Sequence, residues 1–290
     1  MKHRFVIGIG SQRAGSTLLH RLLETSTDAF MHPIKELHYF DTLYGFRAQA
    51  ALKRFALKQL ARQISRIVQA KNADFVLKQK YQCHLRTNKI LATLPIDKVD
   101  YLDLFRPCIA GAKLLGEVTP EYMLLDEPSI EKMKQVIGDD AAVILICRNP
   151  VKRFLSAVKL MNVYNKLALN DVTAEAWIQK MLAEQSGWLA AQDGYNNYAD
   201  TIARYSKHFR HFAAISYDEM VSNPEKTAEQ LADVLAIRIN PQIFKKESGK
   251  VINDLGSDFT ISPQTVQQLG ERYQTNQVFL DKFFGLALTQ

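Results

Sequence analysis

The sequence predicts an α/β protein: a parallel β-sheet flanked by helices on both faces, in a single domain over residues 1–290. Three observations predict it. Short apolar runs rich in β-branched residues alternate with stretches of helical periodicity. The segment FVIGIGSQRAGSTLLHRLL, residues 5–23, joins the first such run to a helical pattern through a glycine loop. Pro150, Pro224 and Pro263 each stand where the first turn of a helix begins.

Taken in order, RFVIGIG is the first strand, and a helix follows from about Ser16 to Thr25. A short second strand precedes His32. Residues 51–69 form an amphipathic helix, with Leu52, Ala56, Leu60, Ile64 and Ile67 on one stripe. AKLLGEV, residues 112–118, is the next strand. AAVILIC, residues 141–147, is the clearest buried one, an unbroken apolar run of the kind a strand covered on both faces requires. FAAIS near Ile215 is the last strand. No repeat, low-complexity tract or linker interrupts the chain.

Residues 10–17 are P-loop-like. Gly10 and Gly15 have the spacing of G-x-x-x-x-G-K-[ST], but Ser16 and then Thr17 stand where the lysine would be. A glycine loop between a buried strand and a helix N-terminus offers backbone N–H groups and a positive dipole end to an anion. Arg13 adds a forked guanidinium and Ser16 and Thr17 add hydroxyls. The missing lysine argues against ordinary nucleoside triphosphate hydrolysis. A second anchor lies at VILICRNPVKRFLSAVK: Arg148 closes a buried strand, Pro150 opens a helix, and Ser156 follows about two turns later. Ligands of parallel sheets collect beyond the carboxyl ends of the strands, so Arg148 is expected on the same rim as the glycine loop. Pairing with surface carboxylates is the alternative for Arg148 and the expectation for Arg153.

At these residues the chain resembles the sulfotransferases that use 3′-phosphoadenosine 5′-phosphosulfate. Their phosphosulfate loop is a basic residue, a small residue, Gly and two Ser/Thr, matched by Arg13, Ala14, Gly15, Ser16 and Thr17. Their R-[ND]-P-x-x-R-x-x-S motif is matched by Arg148, Asn149, Pro150, Arg153 and Ser156. KELHYFD, residues 35–41, is similar to the K-E-x-H-[FY]-F segment of the glycan-sulfating branch, and GEVTPEYM to its G-E-[KA]-[ST]-P-x-Y stretch. ISYDEMVSNPEKTAEQLADVLAI resembles the family's closing segment. The matches run in the family's order.

The resemblance implies a sulfuryl transfer with adenosine 3′,5′-bisphosphate as product and no metal. It implies Glu36 as general base, Arg13 and the loop N–H groups on the sulfuryl and leaving oxygens, and Arg148 and Ser156 on the 3′-phosphate. From the residues alone, a salt bridge with Lys35 explains Glu36 equally well. His38 is a candidate second base or acceptor-orienting group, with packing as the alternative; Glu117 and Glu121 are fallback bases. Tyr195 is placed for adenine contact or for the core. The chain departs from the family at Val118, where some members carry a catalytic lysine, and at residues 253–263, NDLGSDFTISP, where a basic loop is absent and Lys250 is the nearest cation.

Composition narrows the rest. Hydrophobic residues make up 47% and charged residues 23%, ordinary for a globular protein. Lys and Arg exceed Asp and Glu by 37 to 30, a formal +7, which favours anionic partners without choosing among them. Cys83, Cys108 and Cys147 are odd in number and widely spaced, so reduced thiols and a cytoplasmic setting are expected. The His and Cys spacing suggests no metal site. The apolar start of the chain is too short for a secretory signal, and no apolar run is long enough to cross a bilayer. Between residues 42 and 96 the chain holds 11 Lys or Arg against one acid, Asp74. A solvated face is the ordinary reading; recruitment of an anionic acceptor, or peripheral membrane contact, is the sharper one. The competing functions are an atypical P-loop nucleotide kinase, which lacks a strand ending in a metal-binding Asp, and a non-enzymatic nucleotide- or polyanion-binding module. No nucleic-acid-binding motif is present.

Overall fold

A computed structural model describes residues 3–106, 109, 111–250 and 259–285. Five strands form one sheet: β1 (Arg4–Gly10), β2 (Phe30–Met31), β3 (Leu114–Val118), β4 (Ala142–Cys147) and β5 (His211–Ser216). All pairings are parallel, in the order β2-β3-β1-β4-β5. The strands are where the apolar runs put them. Each alternates its side chains between two buried faces: Phe5, Ile7 and Ile9 of β1 meet one core, Val6 the other.

Fourteen helices are described. Before β3 come α1 (Ser16–Ser26), α2 (Tyr39–Leu43), α3 (Gln49–Gln69) and α4 (Gln79–Thr93). Between β3 and β5 lie α5 (Glu127–Ile137), α6 (Pro150–Asn165), α7 (Asp171–Glu184), α8 (Gly187–Asn196) and α9 (Tyr198–His208). After β5 follow α10 (Tyr217–Ser222), α11 (Pro224–Leu235), α12 (Pro241–Ser248), α13 (Pro263–Arg272) and α14 (Gln274–Phe283). Pro150, Pro224 and Pro263 do open helices, where their missing N–H costs nothing. One face of the sheet is covered by α1, α11 and α12, with Leu19, Leu22 and Leu23 of α1 fully buried on it. Such a side chain contributes about 2 kcal/mol when buried. The other face carries α2, α5, α9 and the inner side of α3. A third cluster, around Phe154, Ile178, Leu189 and Leu269, is built by α6, α7, α8 and α13 among themselves.

The sheet order positions the site. From β1 the chain runs to the edge strand β2, returns to β3 beside β1, then crosses to β4 on the other side of β1. The connections leaving β1 (to β2) and β4 (to β5) thus part in opposite directions, which opens a crevice beyond the ends of β1 and β4. A bulge between Gly8 and Gly10 bends β1 just before that edge. Within α3, Leu52 and Ala56 are buried as the stripe requires, but Ile64 is 60% exposed. It lies at the margin of the stripe, where α4 no longer covers it. No described helix is long and apolar enough to cross a membrane.

Candidate active site

Beyond the carboxyl ends of β1 and β4 lies a cavity of about 1040 Å³. The loop after β1 forms one wall. Its first residue is tied down: the Ser11 N–H donates to the Ile146 carbonyl at 3.0 Å and the Ser11 hydroxyl to the Tyr195 carbonyl at 2.7 Å. The loop enters α1 through Gly15, whose φ of 100° is in the left-handed region. A methyl there would stand 2.6 Å from Cδ2 of Tyr217, so glycine is required twice over. No side chain caps α1, so its first-turn N–H groups and its dipole are presented to the cavity, which Gly15, Ser16 and Thr17 line. The methyl of Ala14 points instead into the core beside Val6 and Leu19.

Arg13 also has positive φ, 65°, a conformation that costs a non-glycine residue free energy. Its Nε donates to the Ser156 Oγ at 3.0 Å, and Arg148 Nη1 donates to the Arg13 carbonyl at 2.8 Å. The Arg148 guanidinium lies over the Tyr217 ring, 4.8 Å from its centre, with its Nε buried and lacking any hydrogen-bond partner. Burial, then the charge of Arg148, lowers the pKa of Arg13. Arg13, Arg148 and Ser156 are therefore one cross-linked unit. Neither arginine has a carboxylate partner among the described residues, so the surface ion pair considered for Arg148 does not form.

Arg153 differs from the sequence expectation. It is completely buried and bonded to amides: Asn196 Oδ1 at 2.6 Å, Gln192 Oε1 at 3.0 Å, the Gln192 carbonyl at 3.1 Å and the Gln12 carbonyl at 3.4 Å. One turn into α6 its side chain points inward beneath the loop, away from any surface acid. Tyr195 is in the core, as one of its two expectations had it. It is 5% exposed, belongs to the core and also lines the cavity.

The opposite wall is the segment 32–38. It has no strand of its own beyond Met31 but runs along β3: His32 N–H donates to the Gly116 carbonyl at 2.7 Å and Val118 N–H to the Lys35 carbonyl at 3.1 Å. Glu117 clamps it. This fully buried carboxylate accepts from Leu37 N–H at 3.1 Å and from the hydroxyls of Tyr101, Thr119 and Tyr122 at 2.9, 2.6 and 2.8 Å. Burial raises its pKa against the pull of those donors. Glu117 lines no part of the cavity, so the fallback base is a strut. Val118 is likewise core.

Glu36, His38 and Glu121 face the cavity together. Glu36 is 38% exposed and is paired with the Lys35 ammonium. His38, in the left-handed conformation at φ 51°, donates Nδ1–H to Asp41 at 2.8 Å and turns Nε2 to Glu36 at 3.7 Å. Burial works to discharge His38, but the hydrogen bonds to Asp41 and Glu36 outweigh it and lift its pKa to about 10. Burial likewise opposes ionisation of Glu36, and His38 and Lys35 outweigh it and hold the carboxyl low. The pKa of Glu121 is raised, chiefly by burial; Gln12 donates to one of its oxygens at 3.3 Å, and the other makes no hydrogen bond but lies 3.9 Å from His38 Nδ1. Asp41 was missed in the sequence. It sits three residues from His38 in KELHYFD, a spacing that could have flagged it.

Sequence spacing suggested no metal site, yet Glu36, His38 and Glu121 bring ligand-type atoms within 4.8 Å of one another. Lys35 and the imidazole of His38 already face Glu36, Asp41 and Glu121, so a divalent ion would have to displace an ammonium and discharge His38. An anionic ligand fits the other end of the cavity: an uncapped helix N-terminus, two uncompensated guanidiniums and an orphan Nε. Lys250 also lines the cavity, paired with Glu247. Most of the segment that would correspond to the family's basic loop lies outside the described residues.

A profile of the sulfotransferase family matches residues 5–241. Among solved structures, a sulfotransferase from Alicyclobacillus acidocaldarius is 17% identical, with a TM-score of 0.60 over 99% of this chain and 98% of that one. The sulfotransferase domain from the curacin biosynthetic pathway is 15% identical, with a TM-score of 0.50 over 94% of this chain and 98% of that one. At those identities the likeness is one of fold. No curated protein sequence matches the chain. The profile spans the glycine loop, the Arg148 anchor and the 35–41 wall in a single match, and the chain belongs to the sulfotransferase family.

Proposed function

We propose that this sulfotransferase moves a sulfuryl group from 3′-phosphoadenosine 5′-phosphosulfate to a hydroxyl or amine of a carbohydrate-like or other small acceptor, by in-line displacement. The observation that carries the donor assignment is the Arg13–Arg148 pair. Two guanidiniums tied together beside an uncapped helix N-terminus, with no carboxylate between them, are stabilised by a ligand with more than one anionic group. The nucleotide supplies the activated sulfuryl group. Arg148 and Ser156 are assigned to its 3′-phosphate, the N–H groups of residues 15–17 with the Ser16 and Thr17 hydroxyls to the 5′ end, and Tyr195 to the adenine side; the Ala14 N–H, expected there from the sequence, is instead taken by the Ser11 carbonyl at 3.1 Å.

Arg13 then offsets negative charge on the departing phosphate, a role worth about 10²–10³ in rate for one preorganised donor. With Val118 in place of lysine, that burden falls on Arg13. Glu36 is ionised throughout neutral pH and is assigned the acceptor's proton. A carboxylate held so low is a weak base, so the transfer comes late, once bond formation has acidified the acceptor oxygen. His38, protonated, acts less as a second base than as the donor that aims Glu36. Aromatic side chains of Phe55, Tyr164 and Trp188 line the cavity and suit the apolar face of a sugar. Arg47, also on the wall with an orphan Nε, suits an anionic substituent on the acceptor.

Calorimetric titration with adenosine 3′,5′-bisphosphate, and separately with Mg²⁺ and ATP, tests the reading. Metal-independent binding of the bisphosphate, weakened about 10- to 100-fold in Arg148→Ala, is expected. Glu36→Gln is expected to keep that affinity and lose turnover by about 10²–10⁴. Preference for Mg·ATP would replace the reading with a kinase.

A further inference from the structure

The surface of α3 that faces away from the cavity carries a feature the transfer reaction does not use. Leu57, Ile64 and Val68 are 49%, 60% and 78% exposed. With Ala61 they recur at 57, 61, 64 and 68, one unbroken apolar line along about three turns. Single exposed apolar side chains are ordinary, but a line of them on one helix is a patch. Beside the line runs a second row, Arg54, Lys58 and Arg62, four residues apart, and Lys53 stands on the other flank. Arg66 is turned elsewhere, stacked on Phe75 at 4.7 Å. Lys80 is paired with Glu24, whereas Arg54, Lys58 and Arg62 have no carboxylate partner among the described residues.

We infer that α3 is an interfacial helix that docks the protein on a bilayer carrying anionic lipid. An apolar line bordered by cations matches the two layers of such a surface: acyl chains below, headgroup phosphates above. Other occupants match half of it. A second copy of this chain would bury the apolar line but set cation row against cation row. A polyanionic chain would meet the cations and leave the apolar line in water. The helix serves the cavity from its other side: Phe55, two residues before Leu57 and so about 160° around the axis, lines the cavity wall. Substitutions on the line therefore leave the active site untouched.

Co-sedimentation of the full chain with vesicles tests the assignment, using phosphatidylcholine alone and phosphatidylcholine mixed with phosphatidylglycerol. Binding to the mixed vesicles only, reversed by high salt, is expected. The double substitution Ile64→Glu, Val68→Glu is expected to abolish it. Arg54→Ala, Lys58→Ala, Arg62→Ala together should weaken it on the order of a hundredfold. All these positions are exposed, and unchanged thermal melts and bisphosphate affinity would show that the variants fold. No binding to either vesicle, or binding indifferent to both sets of substitutions, overturns the proposal. So does a concentration-dependent dimer that the double substitution dissolves, since the patch would then belong to a second copy.

Discussion

His38 shows how one residue's surroundings set the chemistry of another. Asp41 takes its Nδ1–H, which turns Nε2 toward Glu36, and the resulting cation keeps the Glu36 carboxyl ionised. The pKa of His38 is raised in the folded protein, so its contribution to stability is complete below its ordinary value of 6.5 and is lost as pH rises through about 10. Thermal melts of wild type and His38→Asn should therefore differ most at pH 6 and converge toward pH 10. The same substitution releases Glu36 toward the ordinary carboxylate range, so the acidic limb of the kcat/KM profile should move to higher pH. A limb that stays in place would remove His38 from the electrostatics of the base. Arg153 makes the complementary point. Amide oxygens, with no carboxylate, surround a fully buried guanidinium, and its charge adds to the positive potential under the loop.

At the scale of elements, the site consists of a loop leading into α1 and a segment braced on β3, each with its own weak point. Gly15→Ala introduces a side chain at φ 100° and against Tyr217, so a loss of about 1–3 kcal/mol and of bisphosphate binding is expected. Denaturant unfolding and calorimetry measure the two. On the β3 side, Tyr122 OH receives the Tyr39 N–H at 3.0 Å and donates to Glu117 at 2.8 Å. Tyr122→Phe removes both, leaving a buried N–H without a partner, and should cost about 1–3 kcal/mol. Because the strut holds the segment that carries Glu36, kcat should fall while bisphosphate affinity holds. Equal losses in both would mean that the two walls are not independent.

At the scale of the molecule, burial makes two thiols, one on β4 and one on α4, reporters of global unfolding. Cys83 and Cys147 are at most 1% exposed, and burial alone raises the Cys147 pKa far above its usual value. In a Cys108→Ser variant, thiol reagents should label neither cysteine in the native protein and both in denaturant, at a rate set by opening. Fast native labelling would mean that the protein opens locally at β4 or α4.

The strands, the starts of the helices that open at Ser16, Pro150, Pro224 and Pro263, and the two loops proposed to hold anions are legible in contiguous residues: an apolar run, a proline, a glycine beside Ser and Thr. Local sequence also marked Glu36 and His38, through a short segment that resembles a known family. Tertiary structure alone decided that Arg13 and Arg148, 135 positions apart, share one hydrogen bond. It turned Arg153 inward, made Glu117 a strut where it could have been a base, and set Glu121 beside His38. In the exposed half of α3 it separated the apolar line that packs from the one that does not. Periodicity reports which residues share a helix face, but whether a face meets protein or solvent depends on what the rest of the chain lays against it. The ionisation of a carboxylate depends in the same way on which charges folding brings near, and that distance is not written in the spacing of residues along the chain.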